Sequence, residues 1–168
     1  MKLTTLPALF VDELKDLFSA ETQLVRALPK MAKAATAPKL RQTLTDHLHE
    51  SQVHLNRLEK IIERMGVGPK GRECKAMETW ISEAKDLTDD EAHPSVMDAA
   101  LIAAAQRMEH YELAGYGCVC TFARKLGYDQ AADLLQSSLD EKVEREKRLT
   151  ELANSVISGG VVAAKPQK

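Results

Sequence analysis

Apolar residues recur at intervals of three and four along four long stretches of the chain, the period of helices that bury one face. The pattern predicts helices over residues 7–36, 38–66, 94–126 and 129–157. Punctuation agrees with these bounds. Pro38 and Pro94 suit the first turn of a helix, Gly66-Val67-Gly68-Pro69 ends the second, and Gly127 separates the third from the fourth. Pro29 is expected to bend the first helix rather than stop it. The short breaks after the first and third helices predict antiparallel hairpins. The connection over 68–93 is long enough to cross the length of a bundle, and contains a short helix-like run from Ala76 to Ile81. The expected fold is all-α: a four-helix bundle of two antiparallel hairpins joined by a long crossover with a short extra helix. The bundle is placed at residues 1–158, with 159–168 as a flexible C-terminal tail.

The core-facing stripes are polar only in their middles. Helix one reads Leu14, Leu17, Glu21, Leu24, Leu28 and Met31, and helix two Leu40, Leu44, His47, Ser51, His54, Leu58, Ile61 and Met65, with Glu50 beside the histidines. Helix three reads Met97, Leu101, Ala104, Met108, Glu112, Gly115, Val119, Phe122 and Leu126, with Glu109 one turn before Glu112. Helix four reads Ala131, Leu134, Ser138, Glu141, Arg145 and Leu152, with Glu144 one turn after Glu141. In an antiparallel bundle these interruptions meet at one height. Glu21 and Glu50 are 29 residues apart, as are Glu112 and Glu141, which fits two similar hairpins facing one another.

A buried, unpaired carboxylate costs several kcal/mol, so a group of them must be protonated, paired or bound to metal. Hard oxygen ligands from four helices are the donor set of two-metal carboxylate bundles. The candidate metal ligands are Glu21, Glu50, His54, Glu109, Glu112, Glu141 and Glu144. His47 and His54 read either as ligands or as polar core groups. Glu144 stands in the run Asp140 to Lys147, which reads equally well as an ion-paired exposed face. Tyr111 or Tyr116 would hydrogen-bond a ligand. His49, His93 and His110 are expected at the surface, and Met77, Met97 and Met108 in the core.

Composition narrows the picture. Aromatic residues are 4% of the chain and the net charge is −2, so no positive field would draw nucleic acid. No run of 18 apolar residues and no secretory leader pattern is seen, which predicts a cytoplasmic protein without a membrane partner. Cys118 and Cys120, two apart on a helix, point to nearly opposite sides and make a poor metal pair.

The segments LFSAETQLVRALPKMAKAA, HLHESQVHLNRLE, KAMETWISEA, DAALIAAAQRMEHYELAGYG and LGYDQAADLL resemble the YciE/YciF-like bacterial stress proteins over about residues 7–155. That resemblance implies a ferritin-like bundle, a homodimer and a role in stress responses, without fixing a biochemical activity. A wider similarity is to rubrerythrin-like di-iron proteins, whose ligand pattern carries over to Glu21, Glu50, Glu109, Glu112 and Glu141. That pattern implies Glu50 and Glu141 as bridges and Glu21 and Glu112 as terminal ligands. Its two histidines are missing: Val53 and Glu144 stand at those positions. The implied cofactor is a di-iron or manganese centre with no organic cofactor, and, without a CxxC pair, an external electron donor. Two functions compete on this reading. One is a redox metal protein reacting with peroxide or oxygen; the other is a non-catalytic dimeric scaffold with a weak metal site. Storage in a ferritin-like cage is disfavoured, since no cage-forming surface is evident.

Overall fold

The computed structural model describes residues 4–89 and 92–157, all of whose regular structure is helical. The helices are α1 (Leu6–Ala34), α2 (Pro38–Arg64), α3 (Lys75–Asp89), α4 (Pro94–Lys125) and α5 (Asp129–Ile157). The proposed tail at 159–168 lies outside the described residues. The short run expected around Ala76 to Ile81 is one part of α3, a helix of 15 residues.

Local chemistry accounts for the ends. Thr5 Oγ1 accepts a hydrogen bond from Ala8 N, and Pro7, Pro38 and Pro94 occupy first turns, where a missing N–H costs nothing. Gly66 and Gly127 have φ of 71° and 72°, the left-handed conformation that ends a helix and that side chains with a Cβ disfavour. α1 continues through Pro29.

The α1–α2 turn has no polar cap of its own, and α4 supplies one. Buried Asp98 accepts from Thr36 N at 2.7 Å, Thr36 Oγ1 at 2.6 Å and Ala37 N at 2.8 Å. The crossover is tied down similarly. Cys74 N donates to Ser19 Oγ at 2.9 Å, Gln23 Nε2 donates to the Cys74 carbonyl at 3.1 Å, and the Cys74 thiol and Tyr111 hydroxyl both donate to Asp16 Oδ2. Burial pushes the Cys74 thiol pKa up. α3 then packs on α1 and α4 through Met77 and Ala84. At Gly115 a Cβ would stand 2.8 Å from Leu17 Cδ2, so the α1–α4 approach requires glycine there or a shift of the leucine.

Two hydrophobic clusters fill the bundle. One joins Leu24, Leu28, Leu40, Leu44, Met77, Leu101, Met108, Leu149 and Leu152. The other joins Phe10, Leu14, Leu17, Leu58, Ile61, Tyr116, Val119, Ala131 and Leu135. Each cluster takes the start of one helix and the end of its neighbour, so α1 and α2 run antiparallel, as do α4 and α5. Between the clusters lies a buried polar layer of Glu21, His47, Ser51, His54, Glu109, Glu112, Ser138, Lys142 and Arg145.

Replacing Asp98 by Ala removes the acceptor for three donors at once. The expected loss is about 1–3 kcal/mol, a fall of roughly 2–12 °C in thermal midpoint measured by circular dichroism. An unchanged midpoint would show that water satisfies those donors as well.

Candidate metal centre

The polar layer is built by helical register. In α1, Glu21 follows Leu14 and Leu17 on the buried face. In α2, His47, Ser51 and His54 continue the spacing of Leu40 and Leu44, and in α4 Glu109 and Glu112 sit between Met108 and Tyr116. In α5 the buried positions are Ala131, Ala132, Leu135, Ser138, Lys142, Arg145, Leu149 and Leu152. This departs from the stripe expected through Leu134 and Glu141. Spacing of three and four counted back from Leu152 and Leu149 gives Arg145 and Lys142, so α5 turns two cations into the core.

The run from Asp140 to Lys147 is therefore not a solvated face throughout. Glu144 does lie outside: its side chain is 63% exposed and pairs with Lys147 at 2.6 Å. Glu141 sits on the flank between α5 and α2, 38% exposed, held by Arg57 at 2.6 Å and His54 Nε2 at 2.8 Å. Glu50 stands at the edge of the layer, 2.6 Å from Arg145 Nη2 and 2.9 Å from Arg148 Nη2. Glu21, His54, Glu109 and Glu112 are brought together inside, while Glu50 and Glu141 reach the layer from its rim. His49, His93 and His110 are exposed, as is Cys118, while Cys120 is buried.

Each inner carboxylate meets a cation. Lys142 Nζ lies 3.0 Å from Glu21 Oε1 and 2.8 Å from Glu112 Oε2, and stands 5.0 Å from the centre of the Tyr116 ring. Arg145 Nη1 donates to Glu109 Oε2 at 3.1 Å and Nε donates to Glu50 Oε2 at 2.8 Å. Glu21 Oε1 also accepts from the Tyr116 hydroxyl at 3.0 Å and faces His54 Nδ1 at 3.1 Å. Lys142, Arg145 and Arg57 were not among the candidate site residues, and His47 was left between ligand and core group.

The electrostatics follow from this geometry. Burial disfavours the Lys142 ammonium, but Glu112, Glu21 and Glu109 outweigh it and raise its pKa. Burial pushes the Glu21 carboxyl up, yet Lys142 and the His54 hydrogen bond hold it well below the carboxylate range. Glu112 goes the other way: burial and the Glu21 charge raise it well above that range, with Lys142 opposing. Sharing one ammonium, the two neighbouring carboxyls are driven in opposite directions. Burial, Arg145 and Lys142 all lower the His47 pKa, so its imidazole is neutral and keeps a lone pair.

Pairing leaves several atoms unsatisfied. Glu21 Oε2, His47 Nε2, Ser51 Oγ, Glu109 Oε1 and Glu112 Oε1 are buried without a hydrogen-bond partner. Among the described residues, His47, Glu109 and Glu112 each offer one ligand atom, all within 4.8 Å of one another. His47 Nε2 lies 3.7 Å from Glu109 Oε2 and 4.0 Å from Glu112 Oε2. Two ligands that each bind an ion at about 2.1 Å lie at most about 4.2 Å apart, so both spacings suit a shared ion. A neutral imidazole with two carboxylates fits iron or manganese by donor type.

The rim supplies a titration test. The Arg57 hydrogen bond holds the Glu141 pKa down to about 2, against an ordinary 4.5, with burial opposing and His54 assisting. A depressed folded-state pKa stabilises above the unfolded value and fades as pH falls through the folded one. Wild type and Arg57→Gln should thus differ in stability at pH 7 and converge towards pH 2. In Arg57→Gln, carboxyl-detected NMR should show Glu141 titrating nearer 4.5. A value still near 2 would assign the depression to His54.

Comparison with known proteins places this geometry in context. Residues 5–161 match the family described as Domain of unknown function (DUF892). The chain is 42% identical over 154 residues to Protein YciF of Escherichia coli (strain K12), covering 91% of this chain and 93% of that protein. The crystal structure of the E. coli stress protein YciF matches with a TM-score of 0.89 at 40% identity, covering 94% and 99% of the two chains. YcfI from Rhodopseudomonas palustris matches at 0.85 and 37% identity, covering 89% and 95%. A two-domain protein from Anabaena variabilis, with DJ-1/ThiJ/PfpI-like and ferritin-like domains, matches at 0.69 and 18% identity; this chain is covered to 98% and that one to 41%. The last likeness concerns the fold alone, and with YciF it supports a ferritin-like helical fold. The chain belongs to the DUF892 family and is similar to the stress protein YciF through nearly its whole length.

Proposed function

We propose that this protein is a ferritin-like stress-response protein whose buried polar layer binds iron or manganese and reacts with peroxide or oxygen. The four long helices are read as a ferritin-type frame of two hairpins. On this reading the protein works as a homodimer in the cytoplasm, with another protein as electron donor. The described helices include none long and apolar enough to cross a membrane.

The observation that carries the reading is His47 Nε2, buried and unpartnered, facing Glu109 and Glu112, each of which also has an unpartnered oxygen. Buried polar atoms left unpartnered in this way are costly unless a proton, water or cation completes them. His47, Glu109 and Glu112 would hold the ion, and Glu21 offers a further oxygen. A bound ion of this kind supplies electron transfer and polarises an oxygen-containing substrate. The chain's own residues prepare the place. Arg145 orients Glu109, Lys142 orients Glu112, and the two hydrophobic clusters exclude water above and below.

A second reading, a non-catalytic dimeric scaffold, is favoured by the ion pairs of Lys142 and Arg145, which neutralise carboxylates without metal. Anaerobic loading with ferrous or manganous ion, then desalting and elemental analysis, separates the two. The metal reading expects retained ion in wild type and its loss in His47→Ala and Glu109→Gln. Each variant should weaken binding by more than the ~10–100-fold that losing a merely orienting group costs. Peroxide and oxygen then follow, with absorbance monitored. No retained metal under any loading would leave the scaffold.

A further inference from the structure

We infer that the Lys142 ammonium stands in for one of the two cations of a dinuclear centre, so that the layer takes a single divalent ion, held by His47, Glu109 and Glu112. This rests on the metal-binding reading and goes beyond it, because it fixes how many ions the site holds and which residue sets that number.

The first observation is position. A cation bound between α1 and α4 would lie between Glu21 and Glu112, and Lys142 Nζ occupies that space, within 3.0 Å of both. The ammonium is fully buried, with a ring face of Tyr116 beside it. The second observation is what α5 withdraws. Its register turns Lys142 inward and leaves Glu141 on the flank, engaged by Arg57 and His54, so the bridging carboxylate implied for α5 is replaced by a positive charge. Glu144, at the other α5 ligand position, is in solvent with Lys147.

The third is charge. On formal charge, with both enclosed imidazoles, His47 and His54, counted as neutral, the layer sets Glu21, Glu109 and Glu112 against Lys142 and Arg145. One divalent ion among ionised carboxylates leaves one excess positive charge, which the nearby Glu50 carboxylate, 2.6 Å from Arg145, can offset. Two ions would leave three, at a desolvation cost that the low-dielectric layer does not repay. The fourth is the location of the unsatisfied donors. His47 Nε2 is buried, 3.7 Å from Glu109 Oε2 and 4.0 Å from Glu112 Oε2, and hydrogen-bonded to neither Lys142 nor any other group.

The test is ion stoichiometry on the full chain, loaded anaerobically with Mn2+ alone. Wild type should retain one manganese per chain and give the six-line electron paramagnetic resonance spectrum of an isolated ion. Lys142→Gln, which removes the charge and frees Glu21 and Glu112, should raise the ratio from one to two and broaden the spectrum through coupling of neighbouring ions. Lys142→Arg, which keeps the charge, should remain at one. Two coupled ions in wild type would overturn the inference and leave the metal reading standing, as would a ratio of one in folded Lys142→Gln. No manganese in wild type would overturn both. Should Lys142→Gln fail to fold, wild type and Lys142→Arg decide: one isolated ion in each supports the inference, and two in either overturns it.

Discussion

The structure depends on the pairing of buried charge across the middle of the bundle. Three carboxylates, from α1 and α4, and two cations, both from α5, sit at one level with almost no access to water. Isolated, each would cost several kcal/mol; paired, they are tolerated, but only in one arrangement. The hydrophobic clusters on either side supply most of the favourable burial, and their role at the site is to keep the dielectric low. That makes Lys142–Glu112 and Arg145–Glu109 strong interactions and makes the unsatisfied atoms of His47, Glu109 and Glu112 conspicuous.

Much of this was legible in the chain. The helices were marked by apolar spacing and by Pro38, Pro94, Gly66 and Gly127, because helix termini have few chemical solutions and this sequence uses the common ones. The polar interruptions of α1, α2 and α4 were visible because a glutamate or histidine among leucines has no local reason to be there. α5 was harder. Its stretch from Asp133 to Lys147 is so rich in charge that a register one residue out, through Leu134 and Glu141, looks as plausible as the true one through Leu135 and Lys142. A bias towards reading acids as ligands and bases as surface groups conceals a buried lysine. The helix end further along, at Leu149 and Leu152, contains the information that resolves it.

Side-chain partnerships across helices were not legible. Nothing near Glu141 in sequence indicates Arg57, 84 residues away, and nothing near Thr36 indicates Asp98. Both are consequences of packing, which sets one helix's flank against another's end. They differ in kind from the layer itself: Asp98 and Arg57 complete backbone and rim groups that any folded arrangement must satisfy, whereas His47 Nε2 is left for something else to satisfy. That difference is why the functional reading centres on the histidine rather than on the most numerous ion pairs.

The division of the core into two apolar halves by a charged layer also bears on how the helices find their alignment. Leucine seams are forgiving, since a helix displaced by one turn still meets leucines. Here such a displacement of α5 would carry Lys142 and Arg145 away from Glu112 and Glu109 and strand those carboxylates without partners. The layer therefore acts as a registration mark for assembly, rejecting mispaired bundles by the cost of misplaced charge. Insertions or deletions of a helical turn between Tyr128 and Lys142 should be far rarer among viable descendants of this chain than changes of similar length in the crossover before α3.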